Sequence, residues 1–232
     1  MNANHNTAIA VLGLMLLASA GFAADNALSA QEAADGWIQL FDGKTLKGWT
    51  TNTGNPSRTP VEQDSINPYK CGAYMMIHEQ EWGNFVLSLD FKVSKGCNSG
   101  IFVRTSPLDP RPDKDVGFNG IEIAVDDSVK GGYHATGAIY DLSPVRADVA
   151  KATGEWNHIE ITCDRSKITV ALNGVNVSNV DLDQFTEPNK RPDGSTHKFD
   201  VAYKNHPRRG YIGLQDHGAP AWFKNIKIKP LK

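Results

Sequence analysis

The chain has 232 residues, 40% of them hydrophobic, enough to bury the core of one large domain. Its 24 Lys and Arg stand against 26 Asp and Glu, a formal net charge of -2. That balance excludes the basic excess of a nucleic-acid-binding protein, so no nucleic-acid partner is expected.

The first feature is an apolar run, IAVLGLMLLASA at 9–20, followed by Gly21, Phe22 and Ala23. The run is too short to span a bilayer comfortably, and the small residues flanking Phe22 fit a cut after Ala23. Residues 1–23 therefore read as a secretory signal peptide, although no Lys or Arg precedes the run. No Cys follows it, so neither a lipid anchor nor any other stable membrane anchor is expected, and the mature chain belongs in the periplasm or outside the cell. Residues 24–35, Ala-rich and polar, read as a flexible lead-in. Residues 36–232 read as a single β domain.

Residues 37–41 form a short strand closed by the turn pair Asp42-Gly43. Residues 51–69 are polar with three prolines and read as a loop. From 85 to 93 the chain alternates: Phe85, Leu87, Leu89, Phe91 and Val93 share one face, Ser88, Asp90 and Lys92 the other. That period of two marks a half-buried strand. Residues 98–104, 121–126 and 156–163 alternate likewise. A strand at 168–172 runs into Asn173-Gly174, a type I′ hairpin pair, and strands at 211–215 and 221–228 close the chain. A turn is expected near 145–153. Segments 105–119, 127–138 and 181–209 are long and irregular, a length usually kept for function. The expected fold is all-β, a two-sheet antiparallel sandwich of the jelly-roll kind. Cys71, Cys97 and Cys163 are odd in number, so at least one thiol is unpaired within the chain, and no spacing resembles a zinc site.

With the apolar sets turned to the core, the opposite sets are Asn98, Gly100, Phe102 and Arg104; Glu122, Ala124 and Asp126; Trp156, His158 and Glu160; and Tyr211, Gly213, Gln215 and His217. An ordinary exterior carries Lys, Glu, Thr and Ser. This one combines aromatics, an Arg, carboxylates, Gln and His, a set that can stack on a sugar ring and hydrogen-bond its hydroxyls. Carbohydrate is therefore the expected partner. Glu122 and Asp126, four residues apart on one strand, are separated by roughly 13 Å at ~3.3 Å per residue. A retaining glycosidase needs its carboxyls about 5–5.5 Å apart and an inverting one about 6.5–9.5 Å. The intervening position is Ala124, so a two-carboxylate hydrolase is disfavoured.

Eight segments in order resemble the 3-keto-disaccharide hydrolase family, within the concanavalin A-like lectin/glucanase superfamily: WIQLFDGKTLKGW at 37–49, NSGIFVR at 98–104, GIEIAVDD at 120–127, TGAIYDL at 136–142, GEWNHIEI at 154–161, LNG at 172–174, GYIGLQDHG at 210–218 and FKNIKIKPL at 223–231. The resemblance implies a jelly-roll sandwich with a sugar site on its concave sheet, in an exported bacterial protein that cleaves glycosides oxidised to a ketone at C3. One departure is Ala124, where the family commonly has Gln.

A C3 ketone acidifies the hydrogen at C2, and the resulting enediolate can expel the group at C1, with water adding afterwards. Such a site needs a base and a positive group near the developing oxyanion. The expected catalytic residues are Glu122, Arg104, His217 and His134. Either histidine could serve as base, and either Arg104 or a divalent cation such as Ca²⁺, held by Glu122 and Asp126, as the positive group. Asn98, Tyr140 and Gln215 would hold sugar hydroxyls, and Trp156 would offer a stacking surface. The alternative is a lectin-like carbohydrate-binding module without catalysis.

Overall fold

A computed structural model describes residues 24–232, and the leader expected over 1–23 lies outside the described residues. A short helix, α1 (Ala30–Ala34), precedes the strands β1 (Ile38–Gln39), β2 (Trp49–Thr51), β3 (Met75–His78), β4 (Phe85–Val93), β5 (Asn98–Thr105), β6 (Ile121–Asp126), β7 (Asn157–Asp164), β8 (Lys167–Leu172), β9 (Val175–Asp181), β10 (Tyr211–Gln215) and β11 (Ala221–Pro230). They form two antiparallel sheets, one of six strands in the order β1-β11-β4-β7-β8-β9 and one of five in the order β2-β3-β10-β5-β6. Among the described residues no helix is long and apolar enough to cross a membrane.

The period of two builds the core directly. Phe85, Leu87 and Leu89 from β4, Ile121, Ile123 and Val125 from β6, and Ile212 and Leu214 from β10 meet in one apolar cluster between the sheets. At roughly 25 cal/mol per Å² of apolar surface removed from water, this layer is the main force holding the sheets together. The hairpin after β8 turns as expected: Asn173 and Gly174 both take positive φ, 50° and 81°. All three cysteines are buried and free.

Three expectations need correction. The first concerns Arg104. Tyr211 pairs with Thr105 but Gly213 pairs with Phe102, so Val103 and Arg104 together oppose Ile212 in a bulge. Arg104 takes a φ of 54° there. The extra residue reverses the alternation and turns Arg104 off the outer face. Its side chain is fully buried and donates to the carbonyls of Gly83 and Arg165 and to Asn84 Oδ1, at 2.7 to 3.3 Å. It ties the end of β5 to the other sheet.

The second concerns β7, which pairs with β4 and β8 in the six-stranded sheet. Trp156, His158 and Glu160 thus belong to the opposite side of the molecule from Glu122. The Trp156 ring carries Lys92 Nζ at 5.0 Å and Lys224 Nζ at 4.5 Å from its centroid. His158 Nδ1 lies 2.7 Å from Asp90 Oδ1.

The third concerns residues 24–35, which are docked rather than flexible. Asn26 and Asn225 exchange backbone-to-side-chain hydrogen bonds at 2.6 and 2.8 Å. Ser29 and Glu32 form a capping box for α1, and Glu32 also pairs with Lys227.

Candidate functional site

The outer face of the five-stranded sheet receives Glu122 from β6, Gln215 from β10 and Asn98 from β5, the parity expected from their strands. Met75, Ile77 and Phe102 on the same face form a second apolar cluster with Val116, supplied by the long 105–119 segment. Glycine makes room for the acid. A Cβ at Gly100 would stand 2.8 Å from Glu122 Cγ and 2.9 Å from its Oε1, so only a bare backbone lets this side chain lie across β5.

Glu122 is half-buried and surrounded by protein. Burial pushes its carboxyl up from 4.5 to about 8; the positive charge of Lys198 opposes this, and the carboxylates of Asp115 and Asp126 add to it. Nothing among the described residues hydrogen-bonds the carboxylate to offset its desolvation. At neutral pH this group therefore holds its proton.

Its neighbours come from the long segments 105–119, 127–138 and 181–209 and from Tyr140 and Asp141, just beyond the second of them. Tyr140 donates its backbone N–H to the Glu122 carbonyl at 2.8 Å. The Tyr140 ring stacks on His134 at 4.5 Å between centroids and 19° between planes. Lys198 Nζ lies 4.3 Å from the centroid of the same ring. Asp141 organises this corner. It pairs with the buried Arg191, accepts the Lys198 backbone N–H at 2.7 Å, and lies 3.9 Å from His134 Nε2.

On the β10 side, Gln215 Nε2 donates to the Tyr74 hydroxyl at 2.7 Å. That hydroxyl also bonds Asp115, and burial together with the charges of Asp115 and Glu122 holds the phenol well above its usual range. Gln215 is only 3% exposed, yet its Oε1 has no partner. A buried orphan acceptor is costly and marks a place where a ligand hydroxyl can bind.

Of the residues expected from the sequence, Glu122, Asn98 and Gln215 share this face, and Tyr140 and His134 join it at the β6 edge. Arg104 and Trp156 do not. His217 is exposed in the turn after β10, where its neighbour Asp216 accepts the backbone N–H groups of Lys70 and Gly218. The donor set does not fit the expected divalent cation. Asp126 Oδ1 already accepts from Ser128 N, Ser128 Oγ and Val129 N, at 2.7, 2.6 and 3.2 Å, and no cluster of three or more ligating side chains occurs among the described residues. Lys198, Tyr74, Asp115 and Asp141 were not anticipated. They lie outside regular strands, where no period assigns a side chain to a face.

Residues 36–229 match the family model described as the 3-keto-alpha-glucoside-1,2-lyase-like domain. The chain belongs to this family. A relative named 3-keto-disaccharide hydrolase, from Bacteroides thetaiotaomicron, is 30% identical over 233 residues, covering 85% of this chain and 79% of that protein. A crystal structure from Parabacteroides distasonis, provisionally named a glycosyl hydrolase, is 33% identical with a TM-score of 0.71, covering 84% of this chain and 99% of its own. A second from the same organism, at 23% identity and a TM-score of 0.74, covers 90% of this chain and all of its own and shows the shared fold. Membership of the 3-keto-glucoside lyase-like family thus rests on nearly the whole β-sandwich.

Proposed function

We propose that this protein is an exported carbohydrate-active enzyme that cleaves glycosides carrying a ketone at C3, by elimination across C1 and C2 followed by hydration. The carrying observation is Glu122, a carboxyl raised to about 8 and set between the Lys198 charge and the orphan acceptor of Gln215. A single acid of this kind suits an elimination, which does not need the paired carboxylates of ordinary glycosidases. The family description names a 1,2-lyase and the Bacteroides relative a hydrolase. Elimination and then hydration satisfies both names.

His134, held flat against Tyr140, takes the proton from C2. The electron pair is delocalised onto the C3 oxygen, towards the ammonium of Lys198. The enediolate collapses, the bond from C1 to the glycosidic oxygen breaks, and that oxygen takes the Glu122 proton. Water then adds across C1 and C2: its hydroxyl goes to C1 and its remaining proton to Glu122, while the proton held on His134 returns to C2, so both groups are reset and the net change is hydrolysis. Gln215 Oε1 accepts a ring hydroxyl and Asn98 lies at the rim.

The test is release of the leaving group from matched glucosides and 3-keto-glucosides by the wild type and by Glu122→Gln. Turnover restricted to the oxidised substrates and lost with Glu122→Gln is expected. Equal turnover of unoxidised glucosides, or full activity in the variant, overturns the reading.

A further inference from the structure

The N-terminal arm roofs a cavity of about 420 Å³ on the outer face of the six-stranded sheet, on the opposite side of the sandwich from Glu122. The volume lies within the size range of small-molecule sites. Its floor follows from strand parity. Phe85, Leu87 and Leu89 enter the core, so Ser88 and Asp90 of β4 point outward. Antiparallel pairing sets Lys227 of β11 beside Ser88, Gln39 of β1 beside Lys227, and His158 of β7 beside Asp90. The arm closes the other side with Asp25, Ala27, Ser29 and Glu32.

The charges around this cavity are already matched. Asp25 Oδ1 accepts from Asn225 Nδ2 at 3.0 Å, and its Oδ2 pairs with Lys224. Asp90 Oδ2 accepts from the same Asn225 amide at 2.6 Å, and its Oδ1 accepts from His158 Nδ1 at 2.7 Å. Glu32 Oε1 pairs with Lys227, and its Oε2 accepts the Ser29 backbone N–H and hydroxyl at 2.8 and 2.9 Å. No oxygen of these carboxylates is left over for a cation, and no cluster of three or more metal-ligating side chains occurs among the described residues. The lysine of the lining, Lys227, is balanced by Glu32, so an anion finds no uncompensated charge either.

Beyond the remaining N–H donors of Lys227, the groups still open are neutral. Ser88 is only 2% exposed and lines the cavity, yet its Oγ has no hydrogen-bond partner among the described residues. Gln39 Oε1 is buried without a partner as well. His158 Nδ1 faces a carboxylate and so carries the ring hydrogen, which leaves Nε2 of the neutral ring an open acceptor. An apolar ligand would seal these groups off unpaired, at a cost, and a charged one would find no counter-charge. They suit adjacent hydroxyls, each of which can both donate and accept. We propose that this cavity is a second, non-catalytic carbohydrate site that takes one neutral hexopyranose unit. It holds a glycan on the face opposite the acid and bridges the N-terminal arm to β4. The proposal does not depend on the role given to Glu122.

The experiment titrates methyl glucoside, methyl galactoside and methyl mannoside into the protein above neutral pH. It follows the imidazole NMR signals of His158, assigned with His158→Gln. Saturable shifts with at least one of the three sugars are expected. Ser88→Ala removes the unpaired hydroxyl, so it should keep the wild-type Tm while weakening binding about three- to tenfold, the loss of one hydrogen bond. Ala27→Trp fills the cavity from its exposed rim and should abolish the shifts. Glu122→Gln should bind as the wild type does, which separates this site from the acid on the other sheet. Glucuronic acid and glucosamine, the charged counterparts, should bind more weakly than the best neutral sugar. No saturable shift at His158 with any of the three neutral hexosides overturns the proposal. So does equal binding by the wild type, Ser88→Ala and Ala27→Trp, or a preference for a charged sugar.

Discussion

Glu122 makes the folded protein sensitive to pH in a direction that can be measured. Unfolded, its carboxyl titrates near 4.5; folded, near about 8. Between those values the folded chain keeps a proton that the unfolded chain has released, so stability falls as pH rises through this window and levels off above it. At ~1.4 kcal/mol per pKa unit the ceiling of the loss is about 5 kcal/mol. Because the side chain is only half-buried, solvent screening reduces this to roughly 2–3 kcal/mol. Glu122→Gln keeps the shape and removes the titration. Urea unfolding of both proteins from pH 4.5 to 9 should therefore give near-equal stability at the acid end and a Gln variant more stable by that amount at the alkaline end. Parallel curves across the window would refute the desolvated-acid reading, whatever the activity of the variant.

Other perturbations separate structural from chemical roles. Arg104→Met removes a buried hydrogen-bonding hub and should cost ~2–4 kcal/mol in chemical denaturation, while kcat of the remaining folded enzyme stays near wild type. Gly100→Ala should displace the Glu122 side chain and lower kcat by ~10- to 100-fold with a small change in Tm, read by steady-state assay and thermal melt. Asn26→Ala breaks the clasp between the N-terminal arm and β11 and should lower stability by ~1–2 kcal/mol with activity unchanged. Lys198→Met removes the charge that opposes burial at Glu122, so the alkaline limb of the pH–rate profile should move up by ~0.5–1 unit while kcat falls; an unmoved limb would show that Lys198 does not act on Glu122.

Much of the scaffold was legible because a single rule governs it. Strands β4, β6 and β10 have the bounds their alternation indicates, and Glu122 and Gln215 face the side that their parity requires. The same rule failed where its premise failed. One bulged residue pair in β5 reversed the parity and carried Arg104 from the expected sugar face into the sandwich. Periodicity also assigns a face but not a sheet, and β7 was therefore grouped with the wrong neighbours. Strand β3 was missed because its residues do not alternate in polarity: Met76 enters the main core while Met75 and Ile77 are buried on the other face. Strand β9 is irregular where its register slips against β8.

The division of labour between sheet and loops explains what the sequence could and could not say about the site. An acid raised to about 8 must be held where desolvation persists, and the paired strands β5 and β6, with Gly100 beneath it, hold Glu122 there. The groups gathered around it must reach over that sheet, and Asp115, His134 and Lys198 do so from the long irregular segments, with Tyr140 just beyond the second of them. Their positions depend on tertiary contacts such as Asp141 with Arg191 and the Lys198 backbone. Loop length alone marked these segments as functional, but only their folding onto β6 brings the lysine and the carboxyl together. The acid could therefore be named from its strand, whereas the cation that tunes it could not be read from any periodicity.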